Sequence, residues 1–303
     1  MIKMNTEKKF FSKIGFNYLI LAIAAIIFQI LIINIIGRTQ PIYLSDINII
    51  TVISSICNYI LPFPIFYWLM KRIDSEKLEK QSINIKTFIS YTAITITLMW
   101  IGNIAGLIIT NLLSGAIQSD IANPVQELIN STDLILNLIV ISFIAPIFEE
   151  ILFRKFLIDR TIKYGANVSI VLSAILFALF HGNLNQFFYA FLMGGFFAYI
   201  YTKTGKIKYT IILHIIVNFM GSVISIFVAQ AAMNIQTVVT PVDAAILIIY
   251  LFILFSSFII GILGLIKFRP KRLEVGLKTI FLNYGMICFI GFFIIEIIRQ
   301  ALL

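Results

Sequence analysis

Two adjacent glutamates, Glu149 and Glu150, stand in "FEEILFR" (residues 148–154), directly after a run of Leu, Ile, Val and Phe. A charge at the centre of a membrane helix costs about 2.5–3.5 kcal/mol on insertion scales, so two in succession demand compensation. Arg154 follows Glu150 by four residues, falls on the same helical face and can pair with it. Glu149 points about 100° away and needs a partner from another helix. The chain has two histidines, His181 in "FALFHG" and His214 in "LHIIVN", both within or at the end of apolar spans. Asn218 follows His214 at i+4, which puts imidazole and carboxamide one turn apart on one face. A lone membrane asparagine is commonly interhelical glue, and a lone histidine is commonly a satisfied structural residue. Taken together, with no further histidine in the chain, polar groups this expensive point to a lined site.

The chemistry open to such a site is hydrolysis. Burial in a bilayer favours the neutral form of a carboxylate, which brings it toward the range useful for a general base. A water held between Glu149 and His181 can attack a carbonyl, and His214 with Asn218 can donate hydrogen bonds to the oxyanion that develops. No Ser or Cys nucleophile motif and no HExxH helix is present. Two histidines and a glutamate can also bind zinc, so Glu149, His181 and His214 form an alternative metal set.

The elements that must position these residues are membrane helices. The 303 residues are 60% hydrophobic and 12% charged, with a mean hydropathy of +1.01, whereas a soluble domain carries roughly 25% charged residues. Nine apolar segments follow from the turn and charge punctuation, at about 14–36, 48–70, 87–113, 133–158, 166–181, 186–202, 209–231, 242–266 and 279–298. The fold class is an all-α polytopic bundle of eight to nine transmembrane helices, one domain over residues 1–303, with an intramembrane polar site. The first segment lacks a small-residue cleavage site and reads as a retained anchor. With the N-terminus in the cytoplasm, 21 of the 23 Lys and Arg fall on the inner side and only Arg38 and Arg299 on the outer. The net charge of +9 is thus a topological signal that suits anionic lipid headgroups, and it gives no support to a nucleic-acid partner. Cys57 and Cys288 both lie in apolar runs and imply neither a disulfide nor a metal site.

Other residues bear on packing. Pro146 removes a helical hydrogen bond to the Ser142 carbonyl and should kink the fourth segment just before the acids, and Pro62 and Pro64 should do the same in the second. Ala190, Gly194 and Ala198 recur every four residues, which predicts a close helix approach on that face. Glu296 can pair with Arg299 at i+3. The charged stretch "KRIDSEKLEKQSINIK" is a short helix or a solvated linker, and residues 114–132 form the longest outer loop. For the polar residues to converge, the fourth segment must run to about Lys163 and the seventh must begin deeper in the membrane. A separation of His214 from Glu149 beyond about 10 Å would exclude the catalytic reading.

Three motifs carry a resemblance. "EEILFR", "FALFH" (Phe177, His181) and "HIIVN" (His214, Asn218) match, in order, the EExxxR, FxxxH and HxxxN patterns of the CPBP family. That family comprises the CAAX proteases and bacteriocin-processing enzymes related to type II CAAX prenyl endopeptidases. The resemblance covers about residues 132–222, the family-like catalytic core. It implies that Glu149 and His181 activate water, that His214 and Asn218 form the oxyanion hole, and that Glu150, Arg154 and Phe177 support them. It implies a glutamate-type intramembrane endopeptidase without a metal cofactor, although older descriptions of the family as metalloproteases keep zinc as the alternative. The family core is usually eight helices, one fewer than the segments counted here.

The Ile-, Lys- and Asn-rich composition suits an AT-rich bacterium and thus a bacterial plasma membrane. Bacteria generally lack protein prenylation, which argues against a CAAX substrate. The expectation is an enzyme that cleaves a membrane-associated peptide or protein. The rival class is a non-catalytic bacteriocin-immunity or scaffold protein of the same fold. A proton-coupled transporter using Glu149 is a third, and no inverted repeat supports it.

Overall fold

A computed structural model describes residues 2–235, 240–266 and 272–302, with side chains from residue 5 onward. The side chain of Lys3 and residues Lys267, Arg269 and Lys271, which contribute to the charge asymmetry, lie outside the described residues. Among the described residues every regular element is a helix and none is a strand, and the order is α1 (Ile2–Thr39), α2 (Ile47–Met70), α3 (Ile85–Ile117), α4 (Pro124–Ser131), α5 (Leu134–Tyr164), α6 (Ala166–Phe180), α7 (Leu184–Thr204), α8 (Ile207–Asn234), α9 (Pro241–Ile266), α10 (Leu277–Phe281) and α11 (Tyr284–Leu302). The molecule is a multi-pass helical membrane protein.

Each of the nine apolar segments folds as helix, but by length and hydropathy seven of the described helices can cross a bilayer. The other two are α6 and α7. At 1.5 Å per residue the 15 residues of α6 span about 22 Å, short of a hydrocarbon core of about 30 Å. The ninth segment is broken at Leu282 and Asn283, where the Asn283 side chain accepts from the Met286 N–H at 3.1 Å and starts α11. Residues 71–84 form no helix. They run as a linker across the ends of α5 and α7, with Glu76 N donating to Asp159 O (2.6 Å) and Gln81 N to Thr204 O (2.8 Å). The loop of residues 118–133 contains α4, capped by Asn123.

The prolines act differently from a simple kink. α2 is interrupted at Leu61 and Pro62 after a π-helical turn, Ile56–Ile60. α5 passes through Pro146 without a break, as a π stretch (Asn137–Ile144), an α stretch (Ala145–Glu150) and a second π stretch (Ile151–Phe156). With the five-residue spacing of a π-helix, the carbonyl that Pro146 cannot serve is Ile141's rather than Ser142's.

Two buried clusters flank α5. One joins α1, α6 and α11 through Phe11, Tyr18, Phe153, Phe177 and Phe289, and the other joins α3, α7 and α8 through Leu98, Phe197, Leu213 and Val217. α9, by contrast, turns Ile248, Phe252, Phe255 and Ile259 outward, as a lipid-facing helix does. Close approach depends on small residues. Ala190 and Ala198 are fully buried, and a methyl group on Gly194 would lie 2.8 Å from Phe177 Cδ1, so the predicted small-residue face packs against α6. α3 meets α7 through Gly102 and Gly106, against the backbone of Tyr189 and Asn185. Glu296 and Arg299 pair as expected, at 2.8 Å.

Gly102→Ala should therefore force α3 from α7, at a cost of about 1–3 kcal/mol for overpacking, and lower the melting temperature in detergent. Gly291→Ala, whose added methyl meets nothing within 4 Å, should leave it unchanged.

Candidate active site

The centre of the molecule is a buried ion pair. Glu150 and Arg154 are both fully buried, with Oε2 and Nε 3.1 Å apart. The contact is an unaligned ion pair, because neither atom meets hydrogen-bond geometry there, and the two Nη atoms also lack a hydrogen-bond partner. The guanidinium instead lies 4.5 Å from the Phe177 ring centroid and 5.6 Å from that of Phe197, where the ring faces supply cation–π attraction. The intrahelical partner expected for Glu150 is thus in place, and Phe177 contributes as the cation's neighbour.

His214 stands between the two acids. Its Nδ1 is 3.0 Å from Glu150 Oε1, and its Nε2 is 3.6 Å from Glu149 Oε2. A carboxylate can only accept, so Nδ1 carries the hydrogen. The partner that Glu149 needs from another helix is therefore supplied by α8. α5 continues to Tyr164, about 22 Å past Glu149, whereas His214 is only about 10 Å into α8. α8 thus starts deeper than α5 ends, and the separation condition is met.

His181 is positioned by the end of α6. It caps the helix, Gly182 follows in the left-handed region (φ 65°), and Asn183 then caps α7 by accepting from the Gln186 N–H. The short α6 therefore ends within the bundle, and non-helical backbone at that depth is tolerable because it lines a cavity. His181 Nδ1 is 2.8 Å from the Phe177 carbonyl, which can only accept, so in the neutral ring Nε2 is the basic nitrogen. Asn218 Nδ2 donates to the Ile141 carbonyl at 2.9 Å, the group left over by Pro146 in its π context. One of its two amide hydrogens is used in this way and the other is available.

These side chains line a cavity of about 580 Å³, with Glu149, His181, His214 and Asn218 on its walls together with Val125 and Leu128 of α4. The sequence reading missed Tyr59, whose hydroxyl donates to Glu149 Oε1 at 2.9 Å while its ring stacks on Phe148, 5.6 Å between centroids. A tyrosine beside an asparagine inside an apolar span was the available signal. Among the described residues no group of three His, Cys, Asp or Glu side chains is arranged to hold a metal ion.

Removing Arg154 would strand the Glu150 carboxylate. Arg154→Met should cost about 3–5 kcal/mol, read as a lower melting temperature in detergent. Adding Glu150→Gln should recover most of that loss, and a double variant no more stable than the single would contradict the pairing.

Residues 131–220 match the family described as Type II CAAX prenyl endopeptidase Rce1-like. The chain is 26% identical over 171 residues to a Bacillus subtilis (strain 168) protein named "Putative membrane peptidase YdiL", a match that covers 54% of this chain and 68% of that one. No solved structure matches the chain significantly. At the level of family, the segment that carries both histidines, both adjacent glutamates and Asn218 is thus similar to the Rce1-like membrane proteases.

Proposed function

We propose that the chain is an intramembrane endopeptidase that hydrolyses a peptide bond of a membrane-associated protein or peptide, using a glutamate- and histidine-activated water. The observation that carries this reading is the placement of His214 between Glu149 and Glu150 on the wall of a cavity that His181 and Asn218 also line. Water sits between Glu149 and His181. As its oxygen bonds to the carbonyl carbon, its proton passes to the Glu149 carboxylate or to His181 Nε2, and the carbonyl π pair moves onto oxygen. The second N–H of Asn218 donates to that oxyanion, as does His214 through a hydrogen on Nε2, a contribution worth a few kcal/mol per donor. Collapse re-forms the carbonyl and expels the amine, which takes the proton back. Tyr59 holds Glu149 Oε1, leaving Oε2 toward the imidazole. No metal takes part in these steps. Glu150 and Arg154 act by fixing His214, and the basic asymmetry supports a cytoplasmic N-terminus.

Membranes carrying the native chain should show new protein N-termini, identified by mass spectrometry, that fall about 10²–10⁴-fold with Glu149→Gln, at equal expression and with a metal chelator leaving them unchanged. Identical termini from the two chains, where the native one still confers a phenotype, would replace the protease with a binding or immunity protein. Termini lost on chelation alone would restore the zinc alternative.

A further inference from the structure

We infer that the cavity takes an extended, unlipidated stretch of polypeptide whose backbone is held by Asn58 of α2 and Asn103 of α3, an inference that rests on the peptidase reading. Both side chains lie inside membrane spans and both line the cavity. Asn58 is exposed and Asn103 half-buried, and among the described residues neither carboxamide has a hydrogen-bond partner. Each of the other amides of the wall has at least one hydrogen-bond partner. Asn185 bonds Thr110 (3.2 Å) and the Ala122 carbonyl (3.1 Å), and Gln186 accepts from Asn183 (2.6 Å) and donates to the Tyr189 hydroxyl.

A carboxamide presents two N–H donors and a carbonyl acceptor. Leaving such a group unpaired in an apolar environment costs roughly 2–7 kcal/mol depending on the reference state. A prenyl or acyl chain in this cavity would offer nothing to either asparagine and would exclude the water that solvates them. An extended peptide offers what both need, an N–H and a C=O at every residue. The two residues come from helices other than the one that carries Glu149, so the bound backbone would run between α2 and α3. Asn58 directly precedes Tyr59, whose hydroxyl holds Glu149, so seating the backbone and orienting the base fall to one turn of α2.

The test uses purified full-length chain and a synthetic peptide spanning the cleavage site defined by the Glu149-dependent termini, in unmodified and farnesylated form. Leucine suits a membrane span better than asparagine, so Asn58→Leu and Asn103→Leu should fold, with melting temperature as the control. Alanine replaces leucine where a variant melts early. Each substitution removes a contact made equally in ground and transition states, so KM should rise about three- to tenfold with kcat unchanged within about twofold. Farnesylation should give no gain in kcat/KM. An unchanged KM in both variants, or a farnesylated peptide preferred by about tenfold or more, would overturn the inference while leaving the peptidase intact. The absence of any Glu149-dependent terminus would remove both.

Discussion

A charged pair with no access to water is the constraint around which the other elements are arranged. Glu150 and Arg154 are fully buried in a protein whose surroundings are hydrocarbon, and the attraction between two ions offsets their desolvation only when the remaining groups are also met. His214 takes the second oxygen of Glu150, and two phenylalanine rings face the guanidinium. Phe177 can lie there because Gly194 offers no side chain in its path. The product of this arrangement is orientation. With Nδ1 fixed on Glu150, the imidazole presents Nε2 toward Glu149 and the cavity.

The helix that carries the acids is held by its own backbone irregularities. Carbonyls in and around the π stretches of α5 accept side chains from three neighbours. Leu152 O accepts from Tyr18 of α1 (2.6 Å), Phe153 O from Ser173 of α6 (2.9 Å) and Ile141 O from Asn218 of α8 (2.9 Å). Each is a directional bond inside an apolar bundle, where side-chain packing between similar helices specifies rotation only loosely. Ser222, one turn after Asn218, adds a further link to Ser142 at 2.8 Å.

Much of the polar cluster was legible in the sequence because charge is so costly in a bilayer that each polar residue there calls for a partner. That reasoning identified the Glu150–Arg154 pair, required an interhelical partner for Glu149 and grouped both histidines with Asn218. Positive charge in the loops and apolar length gave the helices. Tyr59 escaped because a tyrosine in a span is unremarkable by composition, and its hydroxyl becomes informative only when α2 is seen against α5. Which carbonyl Pro146 releases also escaped, since sequence periodicity assumes α geometry and the π stretch moves the vacancy by one residue. Apolar length also says less about the number of crossings, and seven of the described helices meet the length and hydropathy of a span against the eight to nine expected. An apolar run shows that a segment avoids water, and α6 does so as a helix of 15 residues, about 22 Å long.

The π stretches also determine how tolerant α5 is of changes in length. Surface loops absorb an inserted or deleted residue with little effect, whereas in this helix each residue counts as an angular step of about 100°. A π stretch such as Asn137–Ile144 can take up the loss of one residue by tightening to an ordinary turn, but a loss between Ala145 and Phe148 would rotate everything beyond it. Glu149 and Glu150 would then swing away from His214 toward other neighbours, with every side chain chemically unaltered. In this segment the number of residues is under as strict a constraint as their identity, and homologous chains should vary in composition there more readily than in length.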